Sequence, residues 1–144
     1  MAETITARYE VRQANVSDLP FFQRAAIACQ HEDDVAEEVD IYYGLLHGTF
    51  EAYLLIGENT RVGVRVERNG SAAVLGTFYR EGPPSDLVRE SRILLEKVTD
   101  HLSAEGIRYT FCFIHRSNPL FPGLKKFYER LGFDWDLVRF GKEI

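Results

Sequence analysis

The sequence predicts a single α/β (α+β) domain over residues 1–144, with a mixed, mostly antiparallel sheet of about six to seven strands and helices on both faces. Its length and its 45% hydrophobic content suit one sizeable core. Residues 49–80 alternate as a strand meander, and Asn69-Gly70 is a strong hairpin signal because both residues tolerate positive φ. A long amphipathic helix then leads to an apolar strand, which predicts parallel pairing through a right-handed crossover.

The N-terminal third is predicted to form one strand and two helices. Residues 8–14 alternate polar with apolar side chains, as a half-buried strand does. Ser17 is a suitable N-cap for a helix over residues 18–29, and a second helix is predicted over residues 32–48. The expected apolar stripes are Leu19, Phe22, Ala26 and Cys29 in the first helix, and Val35, Ala36, Val39, Tyr42, Tyr43, Leu45 and Leu46 in the second.

The rest of the chain continues with strands at residues 49–57, 61–68 and 72–80 and a helix at about 85–105. The almost continuously apolar residues 107–114 predict a central strand buried on both faces. A short helix opening near Asn118 and stopping at Gly132 precedes a last strand over residues 133–140. The apolar stripes of the two helices are Leu87, Val88, Ser91, Leu94, Leu95, Val98 and Leu102, and Leu124, Phe127, Tyr128 and Leu131.

Composition limits the classes of function. The apolar stretches are too short to span a bilayer, and the first thirty residues lack a signal-peptide pattern, so we expect a cytoplasmic protein. A formal charge of −5 disfavours nucleic acid as a partner. Cys29 and Cys112 have neither the number nor the spacing of a disulfide framework or a metal site, and we expect two buried thiols and no metal.

Two segments at opposite ends of this predicted topology carry a family resemblance. VRQANVSDLP resembles the first strand and helix cap of the GNAT N-acetyltransferases, and NPLFPGLKKFYERLGF resembles their C-terminal signature. With the order of elements, the resemblance extends over nearly the whole chain. It implies a GNAT-like fold in which acyl-CoA lies between the fourth and fifth strands. The pyrophosphate would bind backbone N–H groups at the start of the long helix.

The pyrophosphate motif of that family is Gln or Arg, two residues, Gly, one residue, then Gly or Ala. An ungapped alignment on Leu94-Leu95 gives Asp86 at its first position, Arg89 in place of the first glycine and Ser91 at the second small position. A side chain at Arg89 obstructs the backbone cradle, so phosphate contacts by arginine side chains are the alternative. The residues assigned to donor binding are Tyr79, Arg80, Arg89, Ser91, Arg92 and Asn118.

The resemblance also implies catalytic roles. Tyr128 matches the tyrosine that protonates the departing thiolate, and its alternative role is a core tyrosine on the apolar stripe. Asn118 matches a pantetheine contact or, alternatively, a helix cap. The acidic segment 32–40 is a solvated helix face or a wall that selects a cationic amine or a basic protein segment. Residues considered for the base or for acceptor binding are His31, Glu32, Asp33, Glu37, Glu51 and His115.

The leading functional hypothesis is a small GNAT-type N-acyltransferase that uses acetyl-CoA or a related donor on an amine. The alternative is a GNAT-like interaction or structural protein that has lost CoA binding, resembling those packaged in the virions of some short-tailed phages, where the location would be the virion. The last strand, residues 133–140, has no predicted partner because only four residues follow it. Such an edge favours a homo-oligomer formed through this strand.

Overall fold

In the part of the chain that the structure, a computed structural model, describes, six strands form a mixed sheet with helices on both faces. The structure describes residues 9–28, 38–76, 78–83, 87–112 and 121–134. The strands are β1 (Glu10–Gln13), β2 (Glu51–Ile56), β3 (Arg61–Asn69), β4 (Ala72–Leu75), β5 (Tyr79–Glu81) and β6 (Tyr109–Cys112). The helices are α1 (Leu19–Ala28), α2 (Glu38–His47), α3 (Leu87–Ala104) and α4 (Phe121–Arg130).

The sheet has the predicted topology. Its main path is β1-β2-β3-β4-β6, and β5 pairs with β3 beside β4. The pairs among the described strands are antiparallel except β4 with β6, where Ala72 faces Tyr109 and Leu75 faces Cys112 in parallel register. The hairpin at Asn69-Gly70 places Gly70 at φ 63°, a conformation that glycine adopts without strain. The meander and the parallel crossover pair are therefore confirmed.

The predicted continuous strand over residues 72–80 is wrong, because a bulge divides it into β4 and β5. Val66 pairs with Leu75 and Gly63 pairs with Tyr79, so two residues of β3 lie opposite three residues of the other strand. The Gly76 N–H still donates to the Arg65 carbonyl at 2.8 Å. One extra residue reverses the alternation of faces beyond it. Tyr79 therefore shares the sheet face of Gly63, and Arg80 shares the face of Val62.

Each face of the sheet has its own core. Helices α3 and α4 cover one face through a cluster that includes Val64, Leu75, Phe78, Leu94 and Tyr128. The other face is covered by α1 and α2 through Phe21, Phe22, Ile41, Leu45, Phe50, Ala52 and Leu54. The predicted stripe of α3 is confirmed, since Ser91, Leu94, Val98 and Leu102 are all buried.

The cap of the first helix differs from the prediction. Asn15, rather than Ser17, caps a short 3-10 turn (Val16–Asp18) that runs directly into α1. The Asn15 side chain accepts from the Ser17 N–H, and the Asp18 carboxylate accepts from the Asn15 N–H at 2.9 Å. This reciprocal pair is a capping box. Asp18 is buried, and Arg12 donates to both of its oxygens at 2.8 Å.

Helix α2 buries a narrower stripe than predicted. Ile41 and Leu45, four residues apart, face the core, whereas Tyr42, Tyr43 and Leu46 are exposed. The expectation that these last three are buried was wrong, because an uninterrupted apolar run in a helix covers more than the one side that meets the sheet. Predicted stripe residues Val35 and Ala36, with Cys29, lie outside the described residues.

Strand β6 is less buried than predicted. Tyr109 is 60% exposed, and Thr110, Phe111 and Cys112 are half-buried. In the described part of the chain β6 pairs with β4 alone, so a partner on its second side is lacking there. Of the predicted last strand, residues 133–140, only Phe133 and Asp134 are among the described residues. The expectation of a strand covered on both faces is therefore wrong for Tyr109.

Helix α4 agrees with the prediction for the C-terminal signature. Tyr128 and Leu131 are buried, Leu124 and Phe127 are half-buried, and Gly132 ends the helix at φ 98°. Of the helices that the structure describes, none has both the length and the apolar character that crossing a membrane requires.

Candidate functional site

The predicted donor site lies where β5 ends and α3 begins. Among the described residues the β4–β6 pairing extends to Leu75 and Cys112, and beyond the bulge β5 pairs with β3. Described residues 78–83 and the first turns of α3 therefore form one wall of the opening that the resemblance implies. Asp86 and Asn118, which the prediction also assigns to this region, lie outside the described residues.

A buried ion pair occupies this wall. Arg80 Nε donates to Glu90 Oε1 at 2.9 Å, and the side chains of Arg80 and Glu90 are 13% and 1% exposed. Tyr9 donates its hydroxyl to the other Glu90 oxygen at 3.3 Å, and Arg80 Nη1 donates to the Gly82 carbonyl at 3.2 Å. The sequence assigned Arg80 to phosphate binding, but its guanidinium here neutralises a carboxylate of the core.

Glu90 is the residue that sequence reasoning missed. It stands three residues after Leu87 and four before Leu94, so helical spacing alone puts it on the buried stripe of α3. A carboxylate in such a position requires a partner, because burying an unpaired charge is costly. The nearest arginine before the helix, Arg80, was the available signal.

Ser91 lies deeper than a ligand contact requires. Its side chain is fully buried toward the sheet, and its hydroxyl has no hydrogen-bond partner among the described residues. A small residue suits this position because α3 packs closely on the sheet there. Ser91 thus fits the size demanded by the family motif without presenting its hydroxyl to solvent.

The two remaining arginines are exposed on α3. Arg89 lies in the first turn of the helix, where the helix dipole favours anions. Arg92, one turn further, donates from Nη2 to the Arg130 carbonyl at 2.6 Å, at the C-terminal end of α4. The side chains of Arg89 and Arg92 could contact an anion, but Arg80, the third arginine assigned to phosphate binding, is paired with Glu90. The residues present therefore fit a CoA pyrophosphate in part only.

Tyr128 occupies the aromatic centre of the α3–α4 core. It is 5% exposed, and its ring packs at 5.5–6.4 Å against Phe78, Phe127 and Phe133. Phe78 belongs to the bulge that precedes β5, so Tyr128 lies beside the same wall as Arg80. Its assignment as a catalytic acid remains a prediction.

Tyr79 is separated from Arg80 by the sheet. Its ring packs 5.3 Å from that of Phe21, on the α1 face, and its hydroxyl donates to Glu81 Oε2 at 2.9 Å. Arg24 of α1 donates to the same carboxylate, which holds the pKa of Glu81 below its usual value. The structure therefore does not bring Tyr79 together with the other predicted donor-binding residues.

Glu51 lies at the opposite end of α3. Arg68 donates to both of its oxygens at 2.7 and 2.8 Å, and these hydrogen bonds hold the pKa of Glu51 below its usual value. The neighbouring residues are His101 and Glu105, at the C-terminal end of α3. At 1.5 Å per residue, His101 is about 16 Å along the helix from Glu90. Glu51 is thus remote from the predicted donor site.

The other predicted acceptor residues lie outside the described part of the chain; they are Glu32, Asp33 and Glu37, as well as His31 and His115. Within the described part, an open groove of about 480 Å³ lies between the end of α3 and the start of β6. It is lined by residues such as Leu102, Ile107 and Tyr109, and it too is remote from Arg89.

The sequence matches no protein-family model and no curated protein. Several solved structures match the fold of this chain over nearly the whole length of both proteins. An aminoglycoside acetyltransferase from an uncultured soil metagenomic sample, in complex with sisomicin, is 11% identical, with a TM-score of 0.61 over 97% of this chain and 99% of that one. The ribosomal-protein-alanine N-acetyltransferase of Brucella melitensis biovar Abortus 2308 is 13% identical, with a TM-score of 0.63 over 94% and 99%.

A predicted acetyltransferase from Clostridium acetobutylicum, solved with acetyl-CoA, is 11% identical, with a TM-score of 0.60 over 94% of this chain and 95% of that one. At such low identities the matches establish architecture. The protein has the fold of the GNAT acetyltransferase superfamily, as the two sequence signatures predicted.

Proposed function

We propose that the protein is a GNAT-type N-acyltransferase that transfers an acetyl or other acyl group from CoA to an amine. The observation that carries the proposal is the match of fold over 94–97% of the chain to acetyltransferase structures. One of these contains acetyl-CoA and another an aminoglycoside, sisomicin, which supports an acyl-CoA donor and an amine acceptor for this fold.

The donor pyrophosphate would bind arginine side chains at the start of α3. Arg89 replaces the glycine that a backbone cradle needs, but its guanidinium can form two charge-assisted hydrogen bonds with phosphate. Arg92 follows three residues later on the same exposed side. Arg80 would orient Glu90 and the α3 start rather than touch phosphate.

Transfer requires the acceptor nitrogen to lose a proton and attack the thioester carbonyl. The C–N bond forms, the C–S bond breaks, and the departing CoA thiolate takes a proton. We propose that the Tyr128 hydroxyl donates the proton to the departing thiolate. An ordered water or a carboxylate would accept the proton that the acceptor nitrogen loses. Residues 32–40, with six acidic side chains, would attract a cationic amine or a basic protein segment.

Calorimetric titration of acetyl-CoA into the full chain tests the proposal. We expect binding that weakens with salt, as the Debye length falls from about 10 Å at 0.1 M to about 3 Å at 1 M. Arg89→Ala with Arg92→Ala should abolish it, and Arg108→Ala, an exposed arginine next to β6, is the matched control. Asp86→Gln with Arg89→Gly should strengthen binding by restoring the family pattern. Tighter binding without Arg89 and Arg92 would refute the side-chain mode.

The second candidate function is a non-catalytic interaction module, favoured by the Arg80–Glu90 pair. That pair holds Arg80, which could otherwise bind phosphate, against the Glu90 carboxylate near the helix start where the family binds an anion. If neither the natural chain nor the restored variant binds CoA, this second function replaces the first.

A further inference from the structure

A cluster of ionisable side chains joins the C-terminal end of α3 to the sheet, away from the predicted donor site. Glu51 begins β2 and Arg68 lies near the end of β3. His101 lies in the last turn of α3, and Glu105, four residues later, directly follows the helix. Arg68 contacts both carboxylates, and His101 Nε2 lies 3.3 Å from Glu105 Oε1.

Three of these side chains have the donor atoms of a metal site. One atom each from Glu51, His101 and Glu105 lies within 4.8 Å of the other two. Two ligands at about 2.1 Å from a tetrahedral zinc ion are about 3.4 Å apart, close to the His101–Glu105 spacing. Since the three atoms all lie within 4.8 Å of one another, Glu51 needs to approach the other two by at most about 1.4 Å.

The surroundings orient these ligands. Tyr53 donates its hydroxyl to Glu51 Oε2 at 2.5 Å, which leaves Oε1 as the oxygen to face an ion once Arg68 withdraws. The Tyr53 ring also packs 5.6 Å from the His101 ring. Hydrogen bonds of this kind position metal ligands and their removal weakens binding.

We propose that Glu51, His101 and Glu105 bind a divalent transition-metal ion, with Zn²⁺ the best match to one imidazole and two carboxylates. Water completes the tetrahedron, as in zinc sites with three protein ligands. Arg68 is the competitor: its guanidinium holds the two carboxylates in the metal-free protein and swings to solvent when the ion binds, which its 35% exposure permits. The ion would tie α3 to β2. This inference is independent of the acyltransferase proposal.

Zinc affinity of the full chain, measured by competition with a chromophoric chelator, tests the site. His101→Ala and Glu105→Gln change exposed residues, and each should lower affinity by more than about tenfold, since losing a ligand costs at least as much as losing an outer partner. Tyr53→Phe should lower it by about tenfold. His47→Ala, at an exposed histidine of α2, should leave it unchanged.

Variants at Arg68 separate the ion site from a simple ion-pair cluster. Arg68→Gln should tighten zinc binding because it removes the competing cation, whereas Arg68→Lys, which keeps the charge and supports folding, should not. Zinc should also raise the melting temperature of the natural chain but not of His101→Ala. Equal zinc affinity in the natural chain and in both ligand variants would overturn the proposal, as would binding that appears only in Arg68→Gln.

Discussion

Glu90 is a carboxylate with almost no solvent contact, held by partners from distant parts of the sequence. Arg80 comes from β5 and Tyr9 from the residue before β1, so the contacts connect β5 and the start of β1 with α3. Breaking a buried pair leaves an uncompensated charge, whereas replacing both partners with apolar groups is often neutral. We infer that the pair helps to specify how α3 docks on the sheet.

Glu90→Ala should lower the free energy of unfolding by about 3–5 kcal/mol, because the Arg80 charge stays buried without its partner. Arg80→Met combined with Glu90→Leu should recover most of this loss. Urea denaturation measures both, and Glu96→Ala, at an exposed glutamate of α3, is the control. Equal midpoints for Glu90→Ala and Glu96→Ala would contradict the buried ion pair.

Tyr128 is another single side chain with two roles, since it packs in the core and is the proposed general acid. If the protein binds an acyl-CoA donor, Tyr128→Phe should keep the affinity for that donor, since the ring still fills the aromatic cluster. Turnover should fall about 10²-fold, the lower end of what general acid catalysis supplies. Steady-state kinetics and a thermal melt measure these effects. Loss of folding would identify a core tyrosine, and unchanged turnover would remove it from the mechanism.

Strand β3 and helix α1 meet at a glycine. A Cβ at Gly63 would overlap the Phe21 ring and lie 3.3 Å from Leu54 Cδ2, in the core between α1 and the sheet. Phe21 is almost fully buried there and also packs on Tyr79. The close approach of this helix to the sheet thus depends on the absence of a side chain at one position.

Gly63→Ala should destabilise the protein by about 1–3 kcal/mol, the usual cost of overpacking a core. Gly76→Ala is the matched control, because its Cβ would meet nothing closer than 3.5 Å and its φ is not positive. Adding Phe21→Leu to Gly63→Ala should restore part of the loss by making space. Equal unfolding free energies for the two alanine variants would show that α1 can shift without cost.

At the scale of the whole molecule, carboxylates bound by arginines link distant elements and make stability depend on pH. Hydrogen bonds from Arg68 hold the pKa of Glu51 below its usual 4.5, and Arg24 does the same for Glu81. Burial raises the pKa of Asp18, but hydrogen bonds from Arg12 and the Asn15 N–H, together with the Arg12 charge, outweigh burial. The pKa of Asp18 is therefore lowered from its usual 3.8. A lowered native pKa means that the unfolded chain binds protons first on acidification.

The stabilisation from Glu51 should therefore be complete above about pH 4.5 and be lost as the pH falls toward its lower native pKa. Glu51→Gln should be less stable than the natural chain at neutral pH and should lose less stability between neutral pH and pH 3. Urea unfolding across this range measures the difference, with exposed Glu58→Gln as the control. Parallel curves for the natural chain and Glu51→Gln would contradict the Glu51–Arg68 coupling.

Local sequence signals determined most of the architecture. Alternation and Asn69-Gly70 defined the meander, and helical spacing defined the α3 stripe and α4 with its stop at Gly132. The two GNAT-like segments identified the fold. These features depend on contacts between residues close in sequence, for which periodicity and turn chemistry are sufficient.

Tertiary structure decided the features that depend on residues far apart. One extra residue in the β4–β5 segment exchanged the faces of Tyr79 and Arg80, and alternation gives no sign of such a bulge. Tyr42, Tyr43 and Leu46 are exposed because only one side of helix α2 packs against the rest of the domain. Arg80 paired with Glu90 and Glu51 with Arg68 because folding brings charges from different elements within 3 Å, whereas the sequence shows only that the charges exist.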